Sequence, residues 1–387
     1  MTTIQSPDVA PASSAEYSTV SRPAPRERSG TRMWLLLLVV LAAVAIWYFV
    51  AYEPTPRVVL ITSGDGAYWD PVIAGANDAA KQFGVTLEVD RIKSDPYVQA
   101  DAIKKRLAEK NVDGIAISPL NASIQANLLA DIGAQTTLVT LDSDAPVTGR
   151  FLFVGTNNYD AGRSAGEALK EALPSGGEVI LCLGNPDKEN TQHRRQGVID
   201  ELLDREVEPN RSTDPLEAPI KGERYTVVAT LVDDSDPAKA TQLAAEALKA
   251  HPNVKGFVGL LGYSTGSIVA ALEQAGKLGQ VQVVGFDVAE PTQKAIENGS
   301  VHATIMQDSY GCGFHAVRVL AERAKGVQSG LPLFQVHTLS HRTIRKDNLA
   351  EARQTTGKPM PQPAQNSTAG AGAEAPTTAP TTAPTSS

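Results

Sequence analysis

The chain has 387 residues, 42% of them hydrophobic and 20% charged, with a formal net charge of −8. Charges of both signs are interspersed, and no basic stripe lies beyond Arg32, which argues against a nucleic-acid-binding protein. Two cysteines are no disulfide framework. Cys182 sits in the apolar run VILCLG and reads as a buried thiol, while the compartment argued below would allow a bridge to Cys312.

Residues 1–32 are rich in Ser, Pro, Ala and Arg and read as a disordered cytoplasmic segment. Residues 33–52, MWLLLLVVLAAVAIWYFVAY, carry no charge. At about 1.5 Å per residue this run makes roughly 30 Å of helix, the thickness of a bilayer's hydrocarbon core. Arg22, Arg26, Arg28 and Arg32 precede it, against one nearby acid, Glu27, a bias that keeps the N-terminal side in the cytoplasm. Trp47, Tyr48, Phe49 and Tyr52 end it with the ring types of a membrane interface. The expectation is one transmembrane anchor at 33–52 in the inner or cytoplasmic membrane, with the folded part in the periplasm or outside the cell. A cleaved secretory signal is the competing reading, but the small-x-small candidates near Ala43 lie inside the run. Both readings deliver the folded part to the same compartment.

From residue 57 to about 348, short β-rich runs alternate with helical segments. The strands read RVVLITSG (57–64), VTLEVDR (85–91), VDGIAISP (112–119), LVTLD (138–142), FLFVGT (151–156), VILCLG (179–184), TVVATLV (226–232), GFVGLLG (256–262), QVVGFD (282–287) and HATIMQ (302–307). Helical patterns fill the gaps, among them AGRSAGEALKEAL and AKATQLAAEALKA. This alternation predicts an α/β fold with parallel sheets covered on both faces, about 290 residues in two domains. Residues 355–387, Pro- and Thr-rich and nearly free of large apolar residues, read as a disordered tail.

In such sheets ligands bind beyond the carboxyl ends of the strands. Ser63, Gly64, Asp65, Gly66, Ala67, Tyr68 and Trp69 follow the first strand, and two adjacent aromatics are notable in a chain with 5% aromatic residues. Ser118 and Asn121 follow the third strand, Asp142 and Ser143 the fourth. A helix carrying Gln192, Arg194 and Arg195 comes after VILCLGN; Asp233, Asp234, Ser235 and Asp236 follow TVVATLV. Tyr263, Asp287 and Gln307 end the series. Singly, each polar residue is as easily a helix cap. Together, carboxylates and an arginine are directional partners for several hydroxyls, and aromatic faces pack on the C–H faces of a sugar ring. No nucleophile-and-base set, GxSxG, P-loop or HExxH is present, and the six histidines lack metal-ligand spacing. No enzyme, metal or cofactor is expected.

At this point VTLDSDAP, VGTNNYDAGRSAGEAL, HRRQG, DDSDPAKATQLAAEALKAHPNVKGFVGL, ALEQAGKLGQVQVVGFD and ATIMQDSYGCGFHAV, in that order, give residues 57–345 their character. The span resembles the periplasmic sugar-binding proteins of the ribose-binding type, the type I substrate-binding proteins of ABC transporters. The resemblance implies two Rossmann-like lobes joined by a three-segment hinge, with crossings near 151–156, 305–308 and 333–337. It implies a first lobe of 57–152 plus 308–334 and a second of 156–304 plus 337–346. Tyr68 and Trp69 then match the pair that sandwiches the sugar ring, Asp142 the fourth-strand aspartate, and Arg194 the arginine three before a glycine, here Gly197. Asp287 matches the aspartate of GFD and Gln307 the hinge glutamine. Ser143 stands where the ribose type has arginine, Ser235 near an expected aromatic, and Tyr263 near an expected asparagine, so the ligand differs from ribose in size or hydroxyl pattern. A purine-related or signalling ligand stays open.

The function implied is a non-catalytic receptor that binds a monosaccharide and hands it to an ABC permease. The alternative is a tethered sensor read by a membrane kinase or chemoreceptor. A transcriptional regulator would need a DNA-binding head, and residues 1–32 have no helix-turn-helix pattern.

Overall fold

Strands buried on both faces must hydrogen-bond sideways and take helices above and below. The computed structural model describes residues 29–51, 54–208, 211–217, 219–327, 335–358 and 360. Helix α1 (Ser29–Ala51) stands in a unit of its own ending at Pro54.

The unit from Thr55 onward contains β1 (Arg57–Ile61), α2 (Trp69–Phe83), β2 (Thr86–Asp90), α3 (Pro96–Ala108), β3 (Gly114–Ile117), α4 (Ala122–Gln135), β4 (Thr137–Leu141) and β5 (Leu152–Thr156). It continues with α5 (Asn158–Ala172), β6 (Gly177–Leu183), α6 (Glu189–Leu202), β7 (Ile220–Lys221), β8 (Tyr225–Val232), α7 (Pro237–Ala250), β9 (Val254–Gly259) and α8 (Ser264–Gln274). Then come β10 (Gln282–Phe286), α9 (Glu290–Glu297), β11 (Ala303–Gln307), α10 (Ser309–Ala324), β12 (Val336–Leu339), β13 (His341–Ile344) and α11 (Leu349–Thr355). The ten expected strands are all present; β7, β12 and β13 were not foreseen.

The strands form two sheets, ordered β12-β5-β4-β3-β1-β2 and β13-β11-β10-β9-β6-β8-β7. Pairing is parallel except for β7 with β8 and β13 with β11. Alternate side chains feed opposite faces. Val58 and Leu60 pack with α2 and α10, while Val59 and Ile61 pack with α3 and α4 through Ile103, Leu129 and Ile132. The second sheet is covered in the same way by two apolar clusters. Cys182 and Cys312 are free and buried in different clusters.

The chain passes between the sheets after β5, after β11, and at Ser340 between β12 and β13. The third passage lies a few residues beyond the expected 333–337, because β12 extends the first sheet to Leu339; residues 328–334 lie outside the described residues. Several strand-end residues prove to be caps. Asp95, Asn121, Asn157, Asp236 and Asp308 each accept backbone N–H bonds from the first turn of the following helix.

The expected anchor at 33–52 is not shown. Among the described residues no helix is long and apolar enough to cross a membrane. Although α1 has 23 residues, its side chains are described only over 33–47, about 22 Å of helix against a core of roughly 30 Å. The expected segment 1–32 and tail 355–387 lie mostly outside the described residues, as do Tyr52 and residues 361–387. At the other end the chain is packed further than expected: Thr355 closes α11, and Met360 is 3% exposed within the second-lobe core beside Leu349 and Ala352.

Deleting a buried methionine side chain forfeits its burial. A chain ending at 355 is therefore expected to be less stable than one ending at 360, by roughly 1–3 kcal/mol. Urea melts of the two truncations check this; coincident curves would show that Met360 contributes nothing.

Candidate functional site

The carboxyl ends of both sheets open on one cavity of about 940 Å³, lined by residues that follow β1, β4, β6, β8, β9, β10 and β11. Asp142 and Asp287 occupy equivalent places, one beyond β4 and one beyond β10, and both have left-handed backbones, with φ of 62° and 60°. A non-glycine residue held there costs of order 1–3 kcal/mol and persists only when its surroundings enforce it. Neither side chain caps a helix.

Asp142 is gripped from both lobes. Its Oδ2 accepts from Ser118 Oγ at 2.8 Å and Lys188 Nζ at 3.2 Å, and its Oδ1 from Asn190 Nδ2 at 3.1 Å. Lys188 Nζ also donates to Ser63 Oγ at 2.7 Å. Burial opposes the Asp142 charge, but the cations of Lys188 and Arg194, with hydrogen bonds from Ser118 and Tyr68, outweigh it and hold the carboxyl below its usual range. The amide oxygen of Asn190 is buried without a partner on the cavity wall. Such an acceptor calls for a donor from a ligand or water.

Arg194 is 1% exposed. It donates to Asn158 Oδ1 at 2.9 Å, the Leu260 carbonyl at 3.0 Å and Gln307 Oε1 at 2.6 Å, and lies 4.7 Å over the Phe286 ring. Gln307 Nε2 in turn donates to Asp287 Oδ1 at 2.9 Å. Gly197, one turn on, explains the HRRQG spacing. A Cβ there would meet the Tyr159 carbonyl oxygen at 2.1 Å, and one at Gly162 would meet the Arg194 carbonyl oxygen at 2.2 Å. Only glycine lets α6 lie this close to α5, which brings Arg194 to Asn158. Burial pushes the Asp287 carboxyl up to about 6, against the pull of Arg194 and Gln307.

Off the wall, beneath Tyr263, Asp233 is fully buried and bonded by the Tyr263 hydroxyl, and burial pushes its carboxyl up to about 6. Its Oδ2 has no partner. Asp234 and Ser235 both have left-handed backbones.

Eight of the ten expected site residues line the cavity: Tyr68, Trp69, Asp142, Arg194, Ser235, Tyr263, Asp287 and Gln307. Ser118 lies behind it, bonded to Asp142 and Ser63. Ser143 is buried with its hydroxyl unpartnered and off the wall. The rings of Tyr68 and Trp69 meet edge to face, 5.3 Å apart at 88°, so they cannot both lie flat on one ring. Trp69 is 5% exposed and packs in the first-lobe core, its indole nitrogen against Gly64. Arg195 holds Thr230, Asp214 and Pro215, and Gln192 bonds the Pro186 carbonyl on the surface.

Residues 57–328 match the family described as periplasmic binding protein domain. The chain belongs to the periplasmic binding proteins. It is 25% identical over 288 residues to the D-allose-binding periplasmic protein of Escherichia coli K12, covering 71% of this chain and 86% of the relative. It is 24% identical over 262 residues to the ribose import binding protein RbsB of Salmonella typhimurium LT2, covering 67% and 82%. The solved structure of GanP, a glucose-galactose binding protein from Geobacillus stearothermophilus, is similar at 28% identity and a TM-score of 0.69, covering 77% of this chain and 99% of GanP. The resemblance to the ribose-binding type therefore holds, and these are substrate-binding proteins, not enzymes.

The loop before α6 is where sequence reading of this periplasmic binding protein fell short. Lys188 and Asn190 cross to Asp142, Asn185 donates to the Leu120 carbonyl at 3.2 Å, and Asp187 accepts from Asn121 at 3.0 Å. The signal for it is a lysine just beyond a strand end, in NPDKEN, nearly two turns ahead of the arginines.

Asp287 is more protonated in the folded chain than in the unfolded one between about pH 4 and 6. Stability is therefore lost as pH rises through that window, and the cost of its charge is fully present above it. The ligand-free Asp287→Asn variant is expected to be more stable than wild type at pH 7 by roughly 1–3 kcal/mol. The gain should shrink on acidification and vanish near pH 4. Melting temperatures across pH 4–8 check this; an unstable variant at pH 7 would contradict it.

Proposed function

We propose that this protein is an extracytoplasmic solute receptor that closes on a sugar between its lobes and delivers it to an ABC permease. The observation that carries the reading is the placement of Asp142 and Asp287, beyond strands of different sheets, on the wall of one cavity that Arg194 also lines. Two carboxylates accept hydroxyl protons in fixed directions, the guanidinium and the Asn190 amide oxygen complete a set for a molecule rich in hydroxyls, and Tyr68 adds an apolar flank. The relatives named for allose, ribose and glucose-galactose binding agree with a sugar. The ten-residue ligand set of the sequence analysis is proposed as the site with Lys188 and Asn190 added, and with Ser118 and Ser143 acting from behind the wall.

We also propose that residues 33–52 anchor the protein in the membrane. The large apolar side chains between 33 and 47 are 47–70% exposed within their own unit. A helix apolar on every side needs an apolar environment. The four arginines before it orient its N-terminal side to the cytoplasm.

In a thermal-shift screen of monosaccharides the cognate sugar is expected to raise the melting temperature. Breaking one charged hydrogen bond costs roughly 1.5–3 kcal/mol, so Asp287→Ala and Arg194→Ala should weaken binding by about ten- to a hundredfold. Normal affinity in both would place the site elsewhere. A reporter fused after Asn348 is expected to be active only outside the cytoplasm, and activity inside would refute the anchor.

A further inference from the structure

Beyond α11 the chain turns back on itself. Thr356 is held to the Ala352 carbonyl through both its N–H and its hydroxyl, and Lys358 N–H donates to the Thr355 carbonyl at 3.0 Å. Gly357 takes a left-handed φ of 75°, which favours glycine. The turn sets Met360 into the same second-lobe cluster as Met306, Ile344 and Ala352. Residues 355–358 and Met360 also line the cavity, along with 288–291 and 308–310.

Met360 is tied from there to the hinge. Its backbone N–H donates to Asp308 Oδ2 at 3.3 Å in a buried bond. Asp308 is the first residue beyond β11, where the chain passes between the lobes. Its other oxygen caps α10 by accepting from Gly311 N–H at 2.7 Å. Glycine at 311 leaves room for this carboxylate, since a Cβ there would meet Oδ2 at 2.4 Å. Helix α10 packs in the first-lobe core with Val72 and Ala76, so the cap moves with that lobe, while Met360 moves with the other. One carboxylate thus holds a first-lobe helix with one oxygen and second-lobe chain with the other. Rotation of the lobes about this crossing strains one of the two bonds, and a buried N–H deprived of its partner is costly.

We propose that the segment from Thr355 to Met360 is a fourth, non-covalent part of the hinge, a strap that limits how far the lobes part and thereby sets the affinity of the cleft. The affinity half rests on the sugar-receptor reading; the strap itself does not. A ligand that bridges Asp142 and Asp287 needs both lobes at one spacing, and its apparent affinity falls with the fraction of molecules held near it.

The test is a distance measurement between spin labels on the full chain, at Lys104→Cys in α3 and Lys249→Cys in α7, exposed positions on the two lobes. The native cysteines are buried. Met360→Ala removes the anchor, and Asp308→Asn leaves one oxygen for two N–H groups. Each is expected to lengthen and broaden the distance distribution. Met360→Leu keeps an apolar anchor and should return it to that of wild type. Val301→Ala, a truncation in the same cluster at the far end of β11, should leave it unchanged. Isothermal titration calorimetry with D-glucose, D-galactose, D-allose, D-ribose and D-arabinose reads the affinity. Whichever of these binds wild type should bind Met360→Ala about three- to tenfold more weakly. Unchanged distributions in Met360→Ala and Asp308→Asn, or an equal change in Val301→Ala, overturn the strap. A changed distribution with unchanged affinity overturns its hold on binding. Binding of none of the five sugars, with the distribution changed, overturns the sugar reading and leaves the strap standing.

Discussion

A guanidinium with 1% exposure in the middle of a protein is tolerable only if its donors are used and negative charge lies near. Arg194 meets that demand with groups from separate parts of the chain: Asn158 from the start of α5, the carbonyl beyond β9, and Gln307 from the end of β11. Two of these partners stand where the chain passes between lobes. The charge that must be satisfied in the second lobe is thus tied to two of the three crossings, and anything that moves the lobes must move around this residue.

The two aspartates face each other across the cleft with different electrostatics. Asp142 meets Lys188 directly, and the cations outweigh its burial. Asp287 meets only Gln307 and the more distant field of Arg194, so burial prevails. At neutral pH the two therefore differ: the charge of Asp142 is compensated, while that of Asp287, its carboxyl at about 6, is carried at a cost. Hydroxyl groups entering the cleft would compensate the second charge.

The segment 185–190, running from the loop into the first turn of α6, adds a constraint of another kind. Its contacts with Ser63, Leu120, Asn121, Asp142 and Asp144 join the lobes directly. Most are single neutral or partly exposed bonds, each worth about a kilocalorie or less. They can hold the lobes in register yet yield when the lobes part. The bonds of Lys188 to Asp142 and Ser63, and of Asn190 to Asp142, are the buried exceptions.

The sequence by itself determined the alternation of strands and helices, the doubly covered sheets, the placing of Asp142, Asp287 and Gln307 at strand ends and that of Arg194 on the helix after VILCLG. These rest on short-range causes: apolar runs, cap residues and the rule that ligands meet strand carboxyl ends. Tertiary structure decided which polar residues are caps, as with Asp236 and Asn121, and which face the cleft, because both kinds read alike along the chain. It also decided that Trp69 belongs to the core while Tyr68 reaches Asp142, that Lys188 crosses the cleft, that the third crossing waits until Ser340, and that Met360 is buried. Each of these depends on residues far apart in sequence being brought together by the three crossings, and no local pattern of apolar and polar residues encodes that distance.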